Sequence, residues 1–234
     1  MNMACYVDLS GGLGDQLFQV ATGYAHCKRQ GYELRLGQPK NSYWHSYLHK
    51  LTGSRGGQNL GLLWREPVPH YTEIAFNALN LFGRFQSSKY FADFAADLRG
   101  LFQPADLVKA TQEKYGSLLA KSASIVVYLD GTCSPAYYER AIQHMQSLDP
   151  KAELVLVTKD MDEIIDSGSY TVVKEPDEAA ALYFMSQFQY FILSASSLSW
   201  WAAWLAEKPL YVIAPTSQSL PEDFYEARWD RMAQ

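Results

Sequence analysis

A serine-rich loop near the C-terminus carries residues suited to binding a phosphorylated ligand. The segment "SASSLSWWAAWL" (194–205) places Ser196, Ser197 and Ser199 around the start of a helix that follows a strand. Hydroxyl groups and the free amides of a helix N-terminus together bind phosphate oxygens without a metal. Alternatively, one serine caps the helix and the others have no role. For the tryptophans of this segment, a place in the core is the interpretation that we favour.

A glycine-rich turn near the N-terminus is the second such loop. In "GGLGDQ" (11–16), the glycines Gly11, Gly12 and Gly14 let the backbone approach a ligand, and Gln16 ends the turn. The spacing lacks the last glycine of the dinucleotide-binding fingerprint. Asp15 either caps the following helix or faces the ligand. A carboxylate at a helix start would repel a diphosphate on the same amides, so Asp15 suits a hydroxyl group better.

Further polar residues follow the predicted strand "ELVLV" (153–157). Thr158 and Lys159 come directly after it, and Lys159 could neutralise a phosphate. Asp160 and Asp162 have the DxD spacing of a divalent-metal clamp, but acidic residues are also ordinary at a helix start, so we expect no metal. Glu178 lies in the first turn of a later helix, where it either stabilises the helix or hydrogen-bonds a ribose.

The elements that must position these residues alternate between strand and helix. The chain opens with a strand (4–10), a helix (15–31, with Gly31 as its C-cap) and the strand "YELRL" (32–36). Residues 91–102 again predict a helix. From about residue 121, short apolar strands alternate with helices, including a short helix within 161–168. This pattern predicts an α/β protein with a parallel sheet covered by helices on both faces. Ligands of such sheets bind beyond the carboxyl ends of the strands.

Composition excludes several other classes of function. The chain has 234 residues, of which 48% are hydrophobic, and a net charge of −5 from interspersed acids and bases. We therefore expect a globular protein that binds neither nucleic acid nor membranes. No apolar run is long enough to span a membrane and no signal peptide precedes the first strand, so we expect a cytoplasmic location. The histidines lack metal-ligand spacing, and the three cysteines are expected to be buried thiols.

Four segments together resemble one enzyme family. "GGLGDQLFQVATGYA", "FGRFQSSKYFADFAADL", "YYERAI" and "SASSLSWWAAWL" occur in the order found in the α-1,2-fucosyltransferases of glycosyltransferase family eleven. The resemblance implies a GT-B fold, with two Rossmann-like βα domains facing across a cleft, and inverting transfer from GDP-fucose without an essential metal. It also implies that Gly11, Gly12, Gly14 and Gln16 face the reaction centre, that the serine loop binds the donor, and that Lys159 and Asp160 occupy the place of an SDD-like turn.

One family signature is missing. The HxRRGDY pattern should fall at residues 127–133, where this chain reads "VYLDGTC". Gly131 is retained, while Leu129 and Asp130 stand at the arginine positions. In the family an arginine of this motif pairs with the donor diphosphate, a contact that Asp130 would replace with repulsion of roughly 1 to 4 kcal/mol in a partly solvated cleft. Either Lys159 compensates, or the donor lies differently, or Asp130 contacts a hydroxyl group.

These observations predict an inverting glycosyltransferase that moves fucose or a related hexose from a nucleotide sugar to a glycan hydroxyl. Residues 1–120 would form the acceptor-side domain and residues 121–234 the nucleotide-sugar-binding domain. Asp15 is the first candidate for the base and Asp130 the second. No cofactor is expected besides the nucleotide-sugar co-substrate. Two alternatives stay open, which are a UDP-sugar such as UDP-galactose as the donor, and a non-catalytic binder of nucleotide sugars or glycans.

Overall fold

A computed structural model describes residues 3–39, 43–120, 124–159, 170–218 and 220–234. The chain divides into two compact units. We call them the N-terminal unit, which comprises Met1–Pro104 and Pro221–Glu226, and the C-terminal unit, which comprises Ala105–Leu220 and Ala227–Gln234. Each unit contains its own parallel sheet. The α/β class with parallel sheets, predicted from the alternation of strands and helices, is confirmed.

The described part of the N-terminal unit contains a four-stranded parallel sheet. Its strands are β1 (Ala4–Val7), β2 (Glu33–Leu36), β3 (Leu63–Arg65) and β4 (Asn80–Phe82), in the order β2-β1-β4-β3. Helix α1 (Leu13–Gln30) connects β1 to β2 as a βαβ crossover, and α2 (Ala95–Leu101) lies near the end of the unit. Short 3-10 helices cover His49–Ser54, Ser88–Tyr90, Ala92–Phe94 and Glu222–Phe224.

Helix α1 packs very closely on its sheet at Gly23. A Cβ atom at this position would lie 2.3 Å from Val7 Cγ2 and 3.2 Å from Leu34 Cδ1. Only glycine allows the helix to approach β1 at this distance. The helix ends as predicted, because Gly31 adopts the left-handed conformation with φ of 69° and its amide donates to the Cys27 carbonyl. The first crossover is therefore fixed by one close packing contact and one C-cap.

The C-terminal unit contains a six-stranded parallel sheet in its described residues. The strands are β5 (Ser124–Leu129), β6 (Glu153–Thr158), β7 (Tyr170–Lys174), β8 (Tyr190–Ile192), β9 (Tyr211–Thr216) and β10 (Asp230–Ala233), in the order β10-β9-β8-β5-β6-β7. The helices are α3 (Ala105–Leu119), α4 (Pro135–Leu148), α5 (Glu178–Met185) and α6 (Ser197–Leu205). All six residues of β5 are buried, as expected for a central strand of a parallel sheet.

Side-chain caps begin three helices of this unit at the points where the chain leaves a strand. Ser134 accepts a hydrogen bond from Tyr137 N at the start of α4, and Asp177 accepts from Ala179 N and Ala180 N at the start of α5.

Helix α6 places Trp200, Trp201 and Trp204 in the core, where they are at most 4% exposed. The preferred interpretation of these tryptophans as core residues is confirmed.

Several elements differ from the sequence-based prediction. The structure adds α3, β3, β4 and β10, and it begins α1 at Leu13 rather than at Asp15. Among the residues of α3, Thr111 alone is buried, and β10 is mostly exposed. The region predicted as a helix at 91–102 contains a 3-10 turn before α2. The helix predicted within 161–168 lies outside the described residues. No helix in the described ranges is long and apolar enough to cross a membrane.

The close approach at Gly23 predicts a specific sensitivity of the N-terminal unit. Gly23→Ala should lower the free energy of unfolding by roughly 1 to 3 kcal/mol, because the added methyl group overlaps the buried Val7 side chain. Gly100→Ala is the matched control, since a Cβ atom on Gly100 of α2 meets nothing within 4 Å. That change should stabilise the helix by up to about 1 kcal/mol. Urea unfolding of both variants checks this, and equal effects would contradict it.

Candidate functional site

The loops that follow β8, β5 and β6 meet at one edge of the C-terminal sheet. These strands are neighbours in the sheet, and the last residue of β5, Leu129, pairs with the last residue of β6, Thr158. Parallel strands bring their carboxyl ends to the same edge, which is where ligands of such sheets bind. Asp130, Lys159 and Ser194 follow the three strands. The topology therefore gathers the predicted donor-binding residues of this unit.

The carboxylate of Asp130 joins two of these loops. Its Oδ1 accepts hydrogen bonds from Thr132 N at 3.1 Å and from Thr132 Oγ1 at 2.6 Å, and its Oδ2 accepts from Ser194 Oγ at 2.8 Å. Thr132 Oγ1 in turn accepts from Ala195 N at 3.0 Å. Gly131 has φ of +73°, the left-handed conformation that turns the chain back onto the carboxylate. We call this arrangement of Asp130, Thr132 and Ser194 the aspartate clasp.

The serine loop continues the aspartate clasp. Ser196 is the N-cap of α6 and accepts from Ser199 N at 3.4 Å. Ser196 Oγ also lies 2.9 Å from Ser194 Oγ. Because a hydroxyl group has one proton and that of Ser194 points to Asp130, Ser196 is the donor in this pair. Ser199 is buried and donates to the Ser194 carbonyl at 2.9 Å.

The three predicted serines are therefore not equivalent. The protons of Ser196 and Ser199 are used inside the loop. No described residue hydrogen-bonds the half-buried Ser197 hydroxyl, which stands at the first position of α6. Ser197 is thus the serine of this loop whose hydroxyl is not used by a described residue, and it stands at the start of the helix, where amides can donate to an anion.

Lys159 and Glu178 form an ion pair at the same edge of the sheet. Lys159 Nζ lies 2.6 Å from Glu178 Oε1, and the side chains are 46% and 24% exposed, respectively. Such a partly exposed pair adds little stability, yet it fixes where the ammonium group lies. Thr158 is buried at the end of β6, and its carbonyl accepts from Glu175 N. Asp160 and Asp162 lie outside the described residues.

The charge of Asp130 contributes to the raised pKa of two nearby groups. Burial raises the pKa of the Cys133 thiol, and the negative charge of Asp130 adds to the rise. Burial also raises the pKa of the Tyr138 phenol, with Cys133 and Asp130 contributing. Both groups stay protonated near neutral pH, so Cys133 is not an activated nucleophile. Cys5 and Cys27 are buried as expected, but Cys133 is only half-buried, because it follows the exposed turn at Thr132.

The glycine turn of the N-terminal unit is held from within. Gly11 has φ of +79°, and its carbonyl accepts from Gln16 Nε2 at 3.1 Å. A Cβ atom on Gly11 would lie 2.5 Å from Asp15 Oδ2, so both the backbone conformation and the neighbouring carboxylate require glycine. Gln16 is fully buried and has a packing role beneath the turn, while Gly14 is buried in the first turn of α1.

Asp15 does not cap α1. The N-cap is Gly12, which has no side-chain hydrogen bond, and Asp15 lies in the first turn of the helix. Capping fails because the helix starts two residues earlier than predicted. Instead, Asp15 Oδ1 accepts a hydrogen bond from Gln86 Nε2 at 2.9 Å. Asp15 is half-buried at the carboxyl edge of β1, as a residue that faces a ligand would be.

Sequence reasoning missed Thr132, Ser194 and Gln86. Thr132 and Ser194 directly neighbour predicted site residues, so their position after strand ends was an available signal. Gln86 lies in "FGRFQSSKYF", which resembles a segment of the fucosyltransferase family but contains no residue that was predicted for the site. Its link to Asp15 spans 71 positions of sequence, which no local pattern predicts. Among the described residues, no group of three or more His, Cys, Asp or Glu side chains could hold a metal ion.

Comparison with known proteins first identifies solved structures that share this fold. No protein-family model matches the chain. The structure of a mutant of Arabidopsis thaliana FUT1 in complex with GDP is similar, with a TM-score of 0.60 at 9% identity over 95% of this chain and 72% of that one. NodZ of Bradyrhizobium, an α-1,6-fucosyltransferase solved after soaking with GDP-fucose, gives a TM-score of 0.59 at 11% identity over 88% and 93% of the two chains.

One curated relative is also similar in sequence. The α-1,2-colitosyltransferase of Escherichia coli is 23% identical over 266 aligned positions, which cover 89% of this chain and 90% of the relative. Together with the shared fold, this likeness confirms the prediction of a glycosyltransferase of fucosyltransferase-like character.

The aspartate clasp predicts a stability effect. Asp130→Ala should lower the free energy of unfolding by about 1 to 3 kcal/mol, because Thr132 N and the buried Ser194 hydroxyl lose an acceptor. Asp149→Ala is a suitable control, since the Asp149 carboxylate accepts from Lys151 N within one exposed turn. The control should cost about 0.5 kcal/mol or less. Urea unfolding measures both, and a loss for Asp130→Ala no larger than the control would contradict the clasp.

Proposed function

We propose that this chain is an inverting, metal-independent glycosyltransferase of the GT-B type. It moves fucose, or a related hexose such as the colitose of the relative, from a GDP-sugar to a glycan hydroxyl. The observation that carries the proposal is the polar network on the carboxyl edge of the six-stranded sheet, in a fold shared with fucosyltransferases that were solved with GDP or GDP-fucose. Residues 121–234 bind the donor and residues 1–120 bind the acceptor in this proposal.

The start of α6 is the proposed binding site for the donor diphosphate. Ser197 and the free amides of the first helical turn donate to the phosphate oxygens, and the helix dipole favours the negative charge. Lys159 supplies the cation, held in place by Glu178, which also lies within reach of the ribose hydroxyls of a nucleotide bound there. Thr158 and Gly131 shape the backbone beside it.

Asp130 acts in this proposal mainly on the protein itself. Three hydrogen bonds fix its two oxygens against Thr132 and Ser194, so the charge that would repel a diphosphate is directed into the loops. By holding Ser194, Asp130 also determines the hydroxyl orientations that leave Ser197 available. This role explains how a carboxylate can stand where the resembled family has arginine.

Asp15 is the proposed base on the acceptor side, where Gly11, Gly12 and Gly14 let the acceptor approach the backbone and Gln16 supports the turn. Its carboxylate removes the proton of the acceptor hydroxyl while that oxygen attacks the anomeric carbon from the face opposite the diphosphate. The new carbon–oxygen bond forms as the bond to phosphate breaks, and the electron pair leaves with the nucleoside diphosphate. Inversion of the anomeric centre follows from this single displacement.

A panel of nucleotides tests the donor. GDP and GDP-fucose should raise the melting temperature more than UDP and UDP-galactose, since a ligand at 100 times its Kd stabilises by about 2.7 kcal/mol. Ser197→Ala should reduce the shift with GDP, whereas Ser147→Ala, on the exposed face of α4, should not. A larger shift with the uridine compounds would assign the donor to UDP-sugars instead. Binding without transfer to any acceptor would identify a non-catalytic protein.

The base is tested by Asp15→Asn, which keeps the size of the side chain and removes its ability to take a proton. Turnover should fall by about 100-fold or more. The control is Asp93→Asn, whose carboxylate is exposed and pairs with Arg29 on the surface of the same unit. It should leave turnover unchanged. Turnover of Asp15→Asn within a few fold of the wild type would remove Asp15 from this role, and Asp130→Asn would then test the second candidate.

A further inference from the structure

Phe85 is held in a backbone conformation that residues other than glycine rarely adopt. Its φ is +55°, and its side chain is fully buried in the N-terminal unit. A bulky residue in this region of φ is under strain and persists only where its surroundings fix it. Such strain occurs preferentially at functional sites, so a residue that Phe85 positions is a candidate for a functional role.

The surroundings of Phe85 fix both its backbone and its ring. Glu66 Oε2 accepts hydrogen bonds from Arg84 N at 2.8 Å and Phe85 N at 3.1 Å. The ring stacks on Trp64 with centroids 6.0 Å apart and meets Tyr90 edge-on at 5.5 Å. The Tyr90 hydroxyl donates to the second oxygen of Glu66 at 3.3 Å, so that carboxylate is itself held in place.

The residue that this arrangement presents is Gln86. Its Nε2 donates to Asp15 Oδ1 at 2.9 Å. The other oxygen, Oδ2, lies so close to Gly11 that a Cβ atom there would be 2.5 Å away. One oxygen of Asp15 is thus tied by a hydrogen bond, and the space around the other is defined by the glycine turn. These two contacts favour one orientation of the carboxylate.

A second glutamine joins the same two loops without touching Asp15. Gln19 Oε1 accepts from Ser10 N at 2.9 Å, and Gln19 Nε2 donates to the Gly83 carbonyl at 3.2 Å. Gln19 is buried in α1 and connects the loop after β1 to the loop after β4. Gln19 therefore holds these loops together, whereas the hydrogen bond of the Gln86 side chain within the described residues goes to Asp15.

We propose that Gln86 is a positioning residue for sugar transfer, which acts by holding the Asp15 carboxylate in the orientation that accepts the acceptor proton. This inference rests on the proposed role of Asp15 as the base. A base must meet the hydroxyl proton at hydrogen-bonding distance, and a carboxylate free to rotate would spend much of its time in unproductive orientations. Gln86 fixes that orientation through its hydrogen bond to Asp15 Oδ1.

The test is Gln86→Met, which has a similar size and cannot donate. The value of kcat should fall by about tenfold or more, because misplacement of a catalytic group costs one to two orders of magnitude. The KM values of donor and acceptor should stay within about threefold of the wild type. In an Asp15→Asn background, Gln86→Met should have no further effect on kcat, since no base is left to orient.

The matched control is Gln19→Met, which loosens the same pair of loops. Its effect on kcat should be the same in the wild-type and Asp15→Asn backgrounds, because Gln19 does not act through Asp15. If Gln86→Met folds poorly, Gln86→Glu keeps the shape of the side chain and replaces the donor by an acceptor. It should lower kcat at least as much as Gln86→Met while raising no KM beyond threefold.

An equal loss of kcat for Gln86→Met with and without Asp15 would overturn the proposal, because Gln86 would then act on the fold alone. Unchanged kcat in Gln86→Met would overturn it as well. Both results leave the wild-type enzyme active and the proposed function intact. Failure of the proposed function is distinguished from them by a wild-type chain that transfers no sugar from any donor of the panel.

Discussion

The C-terminal site depends on the hydrogen bonds that the Asp130 carboxylate accepts. It connects the loop after β5 to the loop after β8, and through Ser194 it sets the direction of the hydrogen bond between Ser194 and Ser196. Without the Asp130 carboxylate, the buried Ser194 hydroxyl would have to donate its proton to another group. Ser196 would then no longer be directed to donate to Ser194. The geometry at the start of α6 follows from this one charge.

Sequence patterns predicted most of the alternating strands and helices, and they missed elements without a clear local pattern. Buried strands such as β5 and β6, and helices with caps such as Ser134 or Gly31, carry local signals that survive folding. The edge strand β3 has only three residues, and its pairing with β4 is a long-range event with no local signature. The same limit applies to the site, because residue types identified Asp15 and Asp130 but could not identify their partners.

In the proposed donor site, aspartate stands where the resembled family has arginine, and this difference would change what stabilises a bound anion. A bidentate arginine contact is a strong charge-assisted interaction, and nothing in the described part of the C-terminal unit reproduces that geometry after β5. Lys159 offers a single point charge, already shared with Glu178, and the start of α6 offers partial charges. A diphosphate bound in this way is held by backbone dipoles more than by full charges. Because the dipoles are part of the fold, they cost little ordering entropy when the donor binds.

Different kinds of side chain hold the candidate ligand-binding loops of the two units in place. A loop that lets a ligand approach its backbone needs small residues, and small residues make the loop flexible unless something else holds it. In the N-terminal unit, the Gln16 amide holds the glycine turn, Gln19 connects the loop after β1 to the loop after β4, and Gln86 holds Asp15. In the C-terminal unit, a carboxylate and a chain of hydroxyl groups hold the serine loop. Amide side chains add no charge beside the candidate base, while the carboxylate adds one beside the proposed diphosphate site. In the proposed donor site, the Asp130 charge is therefore tolerable beside a diphosphate only while its hydrogen bonds are complete, so that site would depend on the aspartate clasp.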